Sequence, residues 1–161
     1  MSASADARPE LPSVLDRLID DDPQSQGERP LTVKEMAAEL RRAVRRDLEE
    51  LLNTRLRPRT VAPELEVVAA SSYEYGVPDV SAANLSTKAS RKKYLKALEE
   101  IIRRHEPRVS SVKVVPVEDG RVADRALRFR IDAVLRTEPL PESVLYDSDV
   151  DIFTRQVSIA D

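Results

Sequence analysis

Residues 101–117 read IIRRHEPRVSSVKVVPV, and the change of period inside this stretch decides the fold. Up to His105 the apolar residues recur every three or four positions, as on one face of a helix. Beyond Pro107 they are β-branched and partly alternate, with Val112 and Val114 on one face. Pro107 has no amide to give to a helix and disfavours helical geometry at Glu106. A helix therefore ends here and a strand begins, over about 109–117, with Pro116 marking a strand end or an edge.

Toward the N-terminus the helical period extends back to about residue 87, with Ser86 as cap. Tyr94, Leu95, Leu98, Ile101, Ile102 and His105 share its apolar face, and Lys88, Arg91, Lys92, Lys96, Arg103 and Arg104 decorate the remainder. Gly76-Val77-Pro78-Asp79 is a turn, because Pro78 forces Val77 out of the helical region. Before it, Pro63 is a favourable first helical residue and predicts a short helix over 63–73. A longer helix is predicted over 33–53. Thr32 and Glu35 have the spacing of a capping box, and Met36, Ala37, Leu40, Val44, Leu48, Leu51 and Leu52 form one stripe. Asn53-Thr54 and Pro58 close it. A short amphipathic helix carries Val14, Leu15, Leu18 and Ile19, after a polar, unpatterned tail over 1–10.

Toward the C-terminus, Glu118-Asp119-Gly120-Arg121 is a hairpin-type connection. Leu127, Phe129, Ile131, Ala133 and Leu135 alternate with polar residues, the period of a half-buried strand. Pro139 and Pro141 interrupt the chain, and two shorter strands follow around 143–148 and 155–160, with Val157 and Ile159 facing inward. Helices first and antiparallel strands afterwards define an α+β class: N-terminal helices packed on a small, mainly antiparallel C-terminal sheet. The expected organisation is a disordered tail over 1–10 and a single domain over 11–161.

Composition narrows the function. The 161 residues contain no Cys and one His, which excludes a disulfide framework and a multi-histidine or thiolate metal site within the chain. Three glycines do not make a phosphate cradle, and 4% aromatics do not make a stacking platform for single strands. No stretch approaches the ~20 apolar residues needed to cross a bilayer, and the N-terminus lacks the apolar core of a secretory signal. The expected location is cytosolic, with no direct membrane insertion. The net charge of −3 hides a segregation: 1–30 carry seven acids and three bases, 88–130 carry thirteen bases and six acids, and 137–161 carry six acids and one base. A basic middle between acidic ends suits a subunit docking among other charged subunits. Nucleic-acid binding through the basic helix and the Arg128/Arg130 strand face is the competing reading. The overall acidity and the missing binding motifs weigh against it.

Catalysis finds little material. His105 sits at the end of an apolar face, where a packed helix-end histidine is expected. No two carboxylates can be assigned as an acid and nucleophile flanking a cleft. Asp147, Asp149 and Asp151 alternate but lack the glycine and distal glutamate of a calcium loop. No cofactor is expected. The one local constellation is Glu106-Pro107-Arg108. Residues i and i+2 of extended backbone project to the same side, so Glu106 and Arg108 present opposite charges together. They are either an internal ion pair that fastens helix to sheet or a polar contact with a neighbour.

Several segments then agree with one family. PSVLDRLIDDDP (12–23), VRRDLEELLNTR (44–55), YEYGVPDVS (73–81), LEEIIRRHEPRVSSVKV (98–114) and RFRIDAVLR (128–136) occur in family order, and Glu106-Pro107-Arg108 is the family's signature tripeptide. The chain resembles the TssE family, the baseplate wedge components of bacterial type VI secretion systems. That family is itself similar to a wedge protein of contractile phage tails sometimes labelled lysozyme-like. The stretch Asp151-Ile152-Phe153-Thr154-Arg155 departs from the tighter Thr-Gly turn common there. The resemblance implies a non-enzymatic structural subunit that joins TssF and TssG in a wedge, within a TssK-containing baseplate on the cytosolic side of the inner membrane. It also implies that the chain offers the TssB–TssC sheath a place to attach by strand addition. Glu106, Pro107 and Arg108, and the last strands with Val157 and Ile159, would then be partner-binding. The alternative is a small adaptor that binds a regulatory partner through the same domain.

Overall fold

The structure is a computed structural model. It describes residues 13, 14, 18, 32–56, 62, 64–69, 71–79, 85, 87–117, 126–137, 141–151 and 156–160. The expected tail over 1–10, the connection at 118–121 and the turn at 152–155 lie outside them. Of the predicted first helix, only Ser13, Val14 and Leu18 are described; Val14 and Leu18 are helical and exposed.

Helix α1 runs over Val33–Asn53. Its N-terminus is the predicted capping box: the Thr32 side chain accepts the Glu35 amide, and the Glu35 carboxylate accepts the Thr32 amide at 2.8 Å. Val44, Leu48, Leu51 and Leu52 form the buried stripe. Two of the four amides left over at a helix start are satisfied reciprocally in this way.

The predicted helix over 63–73 is broken into pieces. A four-residue helix α2 covers Glu66–Ala69, and a 3-10 turn covers Ser72–Glu74. The cause is Ser71, whose hydroxyl donates to the Val68 carbonyl at 2.7 Å and accepts the Tyr73 amide at 3.2 Å. Such local bonds compete with the helical ladder. The Gly76 turn is present with φ of 122°, in the region that favours glycine. It brings Val77 beside Arg55 in a parallel bridge, with the Val77 amide on the Thr54 carbonyl at 2.8 Å and the Leu56 amide on the Val77 carbonyl at 2.9 Å.

Helix α3 covers Lys88–His105 and is capped by Thr87, one residue after the expected Ser86. The Thr87 side chain accepts the Ser90 amide, the i+3 geometry of a helix cap. Strands β1 (Val109–Pro116), β2 (Ala126–Leu135), β3 (Glu142–Asp151) and β4 (Val157–Ala160) follow. They form one antiparallel sheet in the order β1-β2-β3-β4. β3 is longer than its predicted 143–148, because it pairs with β2 along its whole length, from Ala126↔Asp151 to Leu135↔Glu142.

Both long helices pack on one face of the sheet. The core joins Val44, Leu48, Leu51 and Leu52 of α1 to Tyr94, Leu95, Leu98 and Ile102 of α3 and to the inward residues of all four strands. Phe129 and Ile131, at the centre of β2, are fully buried. The Tyr146 hydroxyl donates to the Arg41 carbonyl at 3.1 Å, and Arg41 is ion-paired with Glu142 at 2.6 Å. These contacts place α1 over β3. The fold is the expected α+β arrangement of helices on an antiparallel sheet.

Candidate partner-binding site

Glu106 and Arg108 meet within the chain. Glu106 caps α3 by giving its amide to the Ile102 carbonyl, and its side chain turns back under the junction. Its Oε1 accepts the Arg108 amide at 3.1 Å and Arg108 Nε at 2.7 Å, and its Oε2 accepts Arg108 Nη2 at 2.5 Å. This is the two-toothed fit of a guanidinium fork on a carboxylate. Pro107 is exposed and holds the bend between them. Glu106 is only 4% exposed, so its carboxylate takes its hydrogen bonds from Arg108 rather than from water.

Sequence reasoning missed the third member. Asp47 of α1 accepts Arg108 Nη2 at 2.5 Å and also accepts Arg46 at 2.8 Å. One arginine thereby ties the α3–β1 junction to α1. The Glu106 carboxylate, and after it Asp47, holds the guanidinium proton above its usual range against the opposing effect of burial. Tyr75 lies nearby; burial first, then the charges of Glu50, Asp47 and Glu106, raises its hydroxyl above the ordinary value. Its ring meets His105 edge-on, with centroids 5.4 Å apart. His105 is the packed helix-end histidine expected from its position. Burial and then the Arg104 charge hold it below the usual imidazole value, opposed by a backbone hydrogen bond and the charge of Glu74.

Val157 and Ile159 are buried in the core, and their strand is the border of the sheet. That border is occupied from within the chain. Asn53, the last residue of α1, donates Nδ2 to the Val157 carbonyl at 3.0 Å and accepts the Val157 amide on Oδ1 at 2.8 Å. Its side-chain amide makes the pair of bonds that a residue on a fifth strand would make. Arg45 Nη1 donates to the Ile159 carbonyl at 3.0 Å. Both outward backbone groups of Val157 and the outward carbonyl of Ile159 are therefore held by α1. A helix laid along an edge is one way to keep a sheet from pairing further.

The outer face of the sheet carries charged pairs beside the exposed Leu145. Arg130 pairs with Asp147 directly across β2 and β3 at 2.6 Å, and each shifts toward its charged form through that hydrogen bond first. Asp149 stands on the same face beside Arg128. Among the described residues, no group of three or more His, Cys, Asp or Glu is placed to hold a metal ion. None of the described helices is long and apolar enough to cross a membrane.

Two helices on one side of a four-stranded antiparallel meander, fastened by a partly buried ion-pair cluster, define an α+β module whose distinctive polar residues hold elements together. The family model described as baseplate wedge protein gp25 matches residues 38–140, and the chain belongs to that family. Its members are structural baseplate proteins. A solved chain titled "The baseplate complex from the type VI secretion system" is similar at 14% sequence identity and a TM-score of 0.47, covering 77% of this chain and 96% of that one. No curated protein matches.

Proposed function

We propose that the chain is the TssE-type subunit of a type VI secretion baseplate wedge, acting without catalysis. In this reading it joins TssF and TssG, sits in a TssK-containing baseplate on the cytosolic side of the inner membrane, and gives the TssB–TssC sheath its first point of attachment. The observation that carries the reading is the wedge-family match over 38–140, which spans both long helices' cores and the first two strands. The signature Glu106-Pro107-Arg108 lies inside that match at the junction of α3 and β1.

Glu106 and Arg108 serve assembly through the frame that they hold, with Pro107 at its surface. Val157 and Ile159 serve by anchoring the last strand to α1. The sheet then attaches to its neighbour by strand addition, in which main-chain hydrogen bonds supply the affinity. The two terminal strands of the sheet are the elements to compare for that role.

Co-expression with TssF and TssG, followed by native mass measurement, tests the wedge assignment. A complex containing all three chains is the expected result. Absence of the chain from any TssF–TssG complex, at low and high salt, would overturn it. Peptidoglycan incubated with the purified chain should release no soluble fragments.

A further inference from the structure

We propose that the outer edge of β1, from Val112 to Pro116, together with Lys92, Lys96 and Arg103 of α3, receives an extended acidic segment of a partner protein as a fifth strand. The inference rests on the sheath-attachment reading above and specifies which border of the sheet is used and by what chemistry.

A four-stranded sheet has two borders, and α1 fills one of them. Asn53 has a short side chain, yet it reaches both outward groups of Val157. The end of α1 therefore stands about where the next strand would lie, at the ~4.8 Å spacing of a sheet. No strand fits beside Val157 unless the helix moves.

The border at β1 differs. The Val117 amide donates to the Arg128 carbonyl at 3.1 Å, and the register continues as Val115↔Arg130 and Lys113↔Asp132. By the alternation of an antiparallel ladder, Lys113 and Val115 direct their backbone groups to β2, and Val112 and Val114 direct theirs outward. The Val114 amide meets only Glu99 Oε2, at a long 3.4 Å, and Glu99 is at the same time ion-paired with Arg103 at 2.8 Å. Among the described residues, nothing hydrogen-bonds the Val112 amide or the outward carbonyls of Val112 and Val114. Such a row is a template for another strand. Pro116 has no amide to offer, so pairing stops there and the register of an added strand is fixed.

The charge of the partner follows from α3. Lys92, Lys96, Glu99 and Arg103 are spaced i, i+4, i+7 and i+11, a single stripe of the helix. Glu99 reaches Val114, so this stripe flanks the β1 border. Glu99 is neutralised by Arg103, while Lys92 and Lys96 are exposed and form no ion pair among the described residues. A segment lying along β1 passes two uncompensated ammonium groups, and every second side chain of it faces the helix. Acidic residues at those positions match the stripe.

The experiment uses the full chain co-purified with TssF and TssG, with the TssB–TssC pair as probe. Amide hydrogen exchange and titration are both read. The expected result is slowed exchange at Val112 and Val114 when the sheath pair binds, with no change at Val157 and Ile159. K92E/K96E weakens binding at least tenfold without moving the melting temperature, while K93E, on another side of α3, binds as the native chain does. Binding with protection elsewhere, unchanged by K92E/K96E, overturns the inference and leaves sheath attachment standing. No binding of TssB–TssC to an intact wedge complex overturns sheath attachment and this inference together. Protection of Val112 and Val114 in the isolated chain that grows with its concentration assigns the border to a second copy and overturns the acidic-partner inference.

Discussion

Arg108, in the turn just before β1, ties the end of α3 at Glu106 to α1 at Asp47 through one guanidinium. Removing it leaves Glu106 charged, buried and unpaired, at a cost of about 3–5 kcal/mol. Urea unfolding of Arg108→Ala should show that loss, and Glu106→Gln in the same chain should recover part of it. Equal stability of the single and double variants would show that the buried charge is not the cause. The Glu106–Arg108 pair was legible in the sequence as opposite charges flanking Pro107, although the backbone there is a turn, with the Val109 amide on the Glu106 carbonyl at 3.2 Å, and not the extended segment expected. Asp47 was not legible, since it lies 61 positions away and only packing brings it in. His105 gives a second prediction. Its folded value lies below the unfolded one, so the unfolded chain binds the proton more readily. Stability is fully present above about pH 6.5, the ordinary imidazole value, and declines as the pH falls through the interval below it. His105→Phe should flatten that decline in melting curves taken between pH 5 and pH 7.5. Gly76 gives a third. A Cβ there would lie 2.7 Å from the Thr54 carbonyl oxygen at a φ that side chains avoid. Gly76→Ala should cost more than about 1 kcal/mol in the same unfolding assay.

At the scale of the element, α1 and β2 carry the core. Leu48 and Phe129 are both fully buried. Leu48→Ala should destabilise by about 2–5 kcal/mol and Phe129→Ala by about 3–5 kcal/mol, in denaturant midpoints at constant slope. Asn53→Ala leaves the outward amide and carbonyl of Val157 without partners and should cost about 1–3 kcal/mol, with faster exchange confined to β4. The elements most legible in the sequence were those whose signal is local. The Thr32–Glu35 box set the start of α1, Pro107 set the end of α3, and strict alternation set β2. The segment after Pro63 misled because Ser71 diverts the backbone into a 3-10 turn, a choice that propensity does not record. β3 outran its prediction because its end, where Asp147 and Asp149 alternate with the buried Ser148 and Val150, pairs with β2 as far as Ala126↔Asp151.

For the whole molecule, the order β1-β2-β3-β4 makes each strand the neighbour of the next in sequence. The interior amides of β2 and β3 should exchange last, because each of these strands has a strand neighbour on both sides. The meander was legible as helices followed by strands. What the sequence did not reveal was how the sheet is finished at its sides, since that depends on where the end of α1 lands. A sheet with two available sides is a link, able to sit anywhere in a growing row. One side of this sheet is sealed by the last residue of its own helix. In the proposed role such a molecule begins or ends a row of added strands, because the sealed side leaves it one border to offer.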